Sequence, residues 1–120
     1  MRAIDRTTGK ELALDLAVAD TLVARFRGLL GKGALAPGTG LWIKPCNSIH
    51  TFGMKFSIDA LFLDQERRVV GLAKDLRPNR ISRIYTRASS VIEFPAGTLA
   101  ATGTAPGDQL ELTDTVVSQV

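Results

Sequence analysis

Residues 58–72 read IDALFLDQERRVVGL. Two apolar runs flank a polar connection of four residues, Asp64 to Arg67. In the first run, Ile58, Ala60 and Phe62 recur at every second position, which is the period of a β-strand. The stretch therefore predicts a β-hairpin that turns at residues 64–67.

Shorter strand patterns occur on both sides of this hairpin. They cover residues 2–5, 11–19, 41–43, 90–94 and 109–113. Within 11–19, Leu12, Leu14, Leu16 and Val18 stand at period two, which predicts one half-buried strand with these four side chains on one face.

Helical spacing is confined to two places. One amphipathic helix is predicted after Asp20, a candidate N-cap, and ends at Gly31. A short helix is predicted at residues 96–102 and closes at Gly103. With so few helices, we predict a mainly β fold: a compact single-domain β-barrel or sandwich of short strands with one covering α-helix.

The composition fits one globular domain over residues 1–120, because 45% of the residues are hydrophobic and 22% are charged. No apolar run approaches the roughly 20 residues of a membrane-spanning helix, so we expect no membrane partner. The N-terminus lacks the apolar core of a secretory signal, which predicts a cytoplasmic protein.

Positive charge is concentrated in one stretch of the chain. The net charge of +3 is too small to indicate nucleic-acid binding, so no nucleic-acid partner is expected. No acidic residue stands between Leu76 and Ile92, whereas Arg77, Arg80, Arg83 and Arg87 all lie there. The stretch is either a solvated loop or a rim that attracts anions.

Residues 46–56 follow neither the strand nor the helix period and carry Cys46, His50 and Met54. Their order is that of three blue-copper ligands, but such a site needs a second histidine and His50 is the only one in the chain. We expect no metal and no cofactor. A three-ligand Cu(I) site or a zinc site that includes Asp59 remains an alternative.

Two functional hypotheses are consistent with this segment. A third alternative is that the protein has a purely structural or protein-interaction role. In the first, a polar pocket binds a small molecule, an anion or a peptide, with Arg77, Arg80 and Arg83 as its rim. The predicted pocket residues are Asn47, Ser48, His50, Thr51 and Asp59. In the second, Cys46 is a nucleophile and His50 its base.

Asp59 has two interpretations of its own because it interrupts an apolar strand. It either faces solvent or lines the pocket. In the pocket it would have to be hydrogen-bonded or paired, and Arg25 or Arg27 of the predicted helix would be a natural partner.

Four segments of the chain form a specific pattern: residues 25–31 (RFRGLLG), 40–59 (GLWIKPCNSIHTFGMKFSID), 95–98 (PAGT) and 106–108 (PGD). Together they resemble the small prokaryotic family catalogued as domain of unknown function 192. The resemblance implies a compact mainly β domain and no particular activity. It also implies that chemistry common to the family does not rest on Cys46 or His50, since another branch carries different residues there.

Overall fold

A computed structural model describes residues 1–21 and 33–114. The helix predicted between Asp20 and Gly31, with Arg25 and Arg27, lies outside these residues. The described elements are β1 (Arg2–Asp5), β2 (Lys10–Ala13), β3 (Asp15–Ala19), β4 (Thr39–Ile43), β5 (Ile58–Leu63), β6 (Val69–Leu76), β7 (Ser90–Pro95), α1 (Thr98–Thr102) and β8 (Leu110–Thr113). In this part of the chain no helix is long and apolar enough to cross a membrane.

The strands form two sheets in a sandwich, as predicted. One sheet has the order β2-β1-β8 and the other the order β3-β4-β7-β5-β6. All pairs are antiparallel except β3 with β4. The predicted hairpin is β5–β6, and the Asp64 carboxylate stabilises its turn by accepting hydrogen bonds from the backbone N–H groups of Glu66 and Arg68.

The prediction of one continuous strand over residues 11–19 is wrong. The chain breaks at Leu14 into β2 and β3, which belong to different sheets. The backbone N–H groups of Leu14 and Asp15 both donate to the carbonyl of Gly38, just before β4. At this point the chain stops pairing with β1 and begins to pair with β4. Leu14 is consequently 61% exposed and Val18 is also exposed, although both were expected on the buried face.

An inner core fills the space between the two sheets. Alternate residues of the central strands reach it, for example Leu61 and Leu63 of β5 and Ile92 and Phe94 of β7. Leu99 of α1 packs in the same core. Because the other residues of β5 are also buried, both faces of the five-stranded sheet are covered.

The second face carries a separate group of apolar residues, which we call the outer cluster. Its buried members are Ile49, Met54, Ile58, Ala60, Phe62, Ala88 and Val91, and Phe56 and Tyr85 are among the half-buried residues around it. Residues 46–56, which we call the cover segment, contribute Ile49, Met54 and Phe56 to this packing. The irregular segment is thus held by apolar side chains on a rigid sheet.

Candidate functional site

The arginine-rich stretch lies directly beside the cover segment. We call residues 77–87 the arginine loop. Its backbone pairs antiparallel with the cover segment through Thr51 N–H to the Arg80 carbonyl at 2.9 Å, and Ser82 N–H to the Ile49 carbonyl at 2.8 Å. His50 and Ile81 form a β-bridge at the centre of this pairing. The two stretches therefore form one surface, which no local sequence pattern could establish.

Thr51 joins the two stretches most tightly. Its side chain is fully buried, and its hydroxyl donates to the Arg77 carbonyl and accepts a hydrogen bond from the Arg80 N–H at 2.9 Å. Its carbonyl accepts a third bond, from the Asn79 N–H at 3.0 Å. The predicted pocket residue Thr51 thus fixes the backbone from which Arg77 and Arg80 extend.

Four predicted site residues are exposed on this surface: Asn47, His50, Arg77 and Arg80. Ser48 is half-buried. The imidazole of His50 stacks on the exposed ring of Phe52 at 5.2 Å between centroids, and its Nδ1 accepts a hydrogen bond from the Phe52 N–H. Ile81, the bridge partner of His50, is 66% exposed. Apolar and basic groups therefore stand side by side.

No carboxylate of the described residues pairs with an arginine of the loop. The ion pairs in that part of the chain join Arg2 to Glu11 and Arg6 to Glu111, on the three-stranded sheet. The Arg80 guanidinium donates to the neighbouring Asn79 carbonyl at 3.4 Å, and the Arg83 guanidinium lies 5.6 Å from the ring centre of Tyr85. Among the described residues, the positive charge of the loop is therefore not neutralised by an acidic side chain.

Asp59 does not line this surface. It is 1% exposed and faces the inner-core side of β5, where its carboxylate accepts hydrogen bonds from three backbone N–H groups. These belong to Asp75 in β6 and to Gly97 and Leu99 at the start of α1, at 2.9, 3.1 and 2.9 Å. Asp59 is therefore not solvent-facing, and its buried carboxylate is hydrogen-bonded, as expected for a buried charge. The suggested partners Arg25 and Arg27 lie outside the described residues.

Cys46 and His50 both bond to the backbone of their own segment. The half-buried thiol donates to the Ser48 carbonyl at 3.0 Å, and the Cys46 N–H donates to the Ser89 carbonyl. Among the described residues, no three His, Cys, Asp or Glu side chains come close enough together to hold a metal ion.

Glu93 is an unusual residue that was not predicted as a site residue. It lies in β7, is 4% exposed, and burial raises the pKa of its carboxyl to about 7. The signal was present, because a charged residue in the apolar run 90–94 is the same pattern that drew attention to Asp59.

Comparison with known sequences identifies the family. The model of DUF192, described as "Uncharacterized ACR, COG1430", matches residues 3–112. The chain belongs to the DUF192 family. A UPF0127 protein of Thermococcus sibiricus is 36% identical, and the match covers 90% of this chain and 72% of the relative. A UPF0127 protein of Pyrococcus furiosus is 32% identical, and the match covers 88% of this chain and 92% of the relative.

Two solved structures share the DUF192 fold described here. A protein of unknown function from Novosphingobium aromaticivorans superposes with a TM-score of 0.81 at 21% identity, covering 93% of this chain and 84% of the other. A protein from Sinorhizobium meliloti superposes with a TM-score of 0.77 at 24% identity, and the match covers 92% of this chain and 89% of the other. At these identities the likeness concerns the fold alone.

Proposed function

We propose that this DUF192 member is a binding module for a ligand that carries an oxyanion beside an apolar group. The observation that carries the proposal is the pairing of the arginine loop with the cover segment, which leaves Arg77 and Arg80 exposed and without a carboxylate among the described residues. Guanidinium groups bind carboxylate and phosphate through paired, charge-assisted hydrogen bonds.

The apolar part of the ligand packs on the exposed side chains next to these arginines. His50 and Phe52 provide a stacked pair of rings, and Ile81 lies opposite His50. Because Thr51 holds the Arg77 and Arg80 backbones, the loop is organised before the ligand arrives, which lowers the entropy cost of binding.

Isothermal titration calorimetry with phenyl phosphate and inorganic phosphate tests the proposal. Phenyl phosphate should bind more tightly than inorganic phosphate, and both should weaken as salt is raised. The double variant Arg77→Gln/Arg80→Gln should lose at least about tenfold in affinity, since hydrogen bonds to charged groups contribute about 1.5–3 kcal/mol.

Arg68→Gln is the matched control because Arg68 is exposed at the β5–β6 turn, away from the loop. It should bind both probes as the wild type does. Equal affinity in the double variant and the wild type would show that the arginine loop is not the binding site.

A further inference from the structure

Exposed apolar side chains are concentrated on the surface formed by the cover segment and the arginine loop. Among the described residues, the large hydrophobic side chains exposed to solvent are Leu14, Val18, Phe52, Ile81 and Ile84. The last three lie on this surface, and both isoleucines are 66% exposed. Apolar side chains that stand together in water, rather than singly, mark an interaction site.

The local geometry directs these side chains away from the sheet. Ile49 and Thr51 are buried whereas His50 and Phe52 are exposed, which is the alternation of an extended segment with one covered face. Ile81 pairs with His50, so their side chains leave the same side of the pairing. The ring of Phe52 stacks on His50 on that side. The apolar groups therefore face solvent as one patch.

Positive charge surrounds this patch. The cover segment and the arginine loop contain no acidic residue, and all five of their basic residues are exposed: Lys55, Arg77, Arg80, Arg83 and Arg87. The rest of the chain has ten basic and twelve acidic residues, so the excess of positive charge belongs to these two stretches. A cluster of one sign attracts surfaces of the opposite sign.

We propose that this patch docks on the face of a lipid bilayer that contains anionic phospholipids. The inference rests on the proposed function and names its partner, since the oxyanion is then the lipid phosphate. A bilayer places phosphates at its surface, where arginines bind them, and acyl chains just beneath, where Phe52, Ile81 and Ile84 insert. A nucleic acid presents phosphates without such an apolar layer, so the exposed isoleucines favour the bilayer.

The absence of a membrane partner was expected because the sequence has no spanning segment. Binding to the surface of a bilayer requires no such segment, because exposed apolar side chains and basic residues are sufficient. The docking proposal therefore replaces that expectation.

Co-sedimentation of the protein with lipid vesicles tests the proposal. The wild type should bind vesicles of equal parts phosphatidylcholine and phosphatidylglycerol, less tightly as salt is raised, and bind pure phosphatidylcholine vesicles only weakly. Arg77→Gln/Arg80→Gln should lose about 25-fold in partitioning, because each basic residue near an anionic surface contributes about fivefold.

Ile84→Ser should weaken partitioning into the mixed vesicles about fivefold, because an apolar side chain no longer enters the bilayer. Leu14→Ser is the matched control. Leu14 is 61% exposed but adjoins β3, at the edge of the five-stranded sheet opposite to β6 and the arginine loop. The control should bind the vesicles as the wild type does.

The docking proposal is overturned if the wild type does not bind the mixed vesicles, if it binds pure phosphatidylcholine equally well, or if Ile84→Ser binds like the wild type. Calorimetry with phenyl phosphate separates this failure from that of the proposed function. Ile84→Ser should bind phenyl phosphate unchanged, since Ile84 is not assigned to the small-ligand site. Phenyl phosphate binding without vesicle binding would leave only the small-ligand site, whereas a wild type that does not bind phenyl phosphate would contradict the proposed function itself.

Discussion

At the scale of single residues, Asp59 and Glu93 are buried on opposite faces of one sheet and differ in what compensates them. Three backbone N–H groups surround the Asp59 carboxylate, so its charge is stabilised. Glu93 has only apolar neighbours across the sheet, and its pKa rises to about 7. The sequence pattern of an acid in an apolar strand predicts burial but not which of these outcomes follows.

Glu93→Gln should therefore change how stability depends on pH. In the unfolded chain this acid titrates near 4.5, so the wild type loses stability as pH rises from about 4.5 to 7, by about 3 kcal/mol from this residue. The variant should be more stable than the wild type at pH 7.5 and about equally stable at pH 4. Urea denaturation at both pH values measures this, and a constant difference between the proteins would contradict it.

At the scale of elements, Asp59 connects β5, β6 and α1. One carboxylate oxygen accepts from Asp75, whose φ of 52° is in the left-handed region, and the other accepts from Gly97 and Leu99. The short helix α1 is thus fixed to the sheet by a side chain 40 positions earlier. The sequence predicted α1 from local signals, but this long-range attachment has no local signal.

Asp59→Asn should destabilise the protein by about 3 kcal/mol or more, because an amide N–H₂ would replace an acceptor that faces a backbone donor. Asp64→Asn is the control: a single oxygen of Asp64 accepts both bonds in its turn, so asparagine preserves them. Chemical denaturation should show the large loss only for Asp59→Asn. Similar losses in the two variants would contradict the assigned role of Asp59.

The arginine loop is attached to the sheet at its C-terminal end by Tyr85. The ring packs on Phe62 at 4.4 Å between centroids and lies directly over Gly71, while the hydroxyl donates to the Leu72 carbonyl. A methyl group at position 71 would stand 2.1 Å from the tyrosine ring. Glycine is required at this position because of close approach rather than backbone conformation.

Gly71→Ala should displace Tyr85 and lower the free energy of unfolding by about 1–3 kcal/mol through overpacking. It should also weaken the binding of phenyl phosphate, because the arginine loop loses its attachment to the sheet. Gly33→Ala should do neither, since its added methyl group would meet open space. Denaturation and calorimetry on both variants check this. Unchanged binding in Gly71→Ala would mean that Tyr85 does not organise the loop for ligand binding.

At the scale of the whole molecule, the mainly β fold class and most strand bounds follow from local patterns, whereas the choice of a sandwich over a barrel and the assembly of the site do not. Turn residues and period-two alternation predict the hairpin β5–β6 and strand β7. The division of residues 11–19 between two sheets and the pairing of the arginine loop with the cover segment depend on contacts far apart in the chain. The exposed site residues could be predicted from the sequence. That Asp59 is buried and bonded to distant backbone groups could not, because its partners have no local sequence signal.

The cover segment and the arginine loop are proposed to form one anion-binding surface. Mapping backbone amide chemical-shift changes in isotope-labelled protein during titration with phenyl phosphate tests it most directly. We expect saturable changes concentrated at residues 50–52 and 77–82, which disappear in Arg77→Gln/Arg80→Gln. Saturable changes centred elsewhere, or none at these two segments, would contradict it.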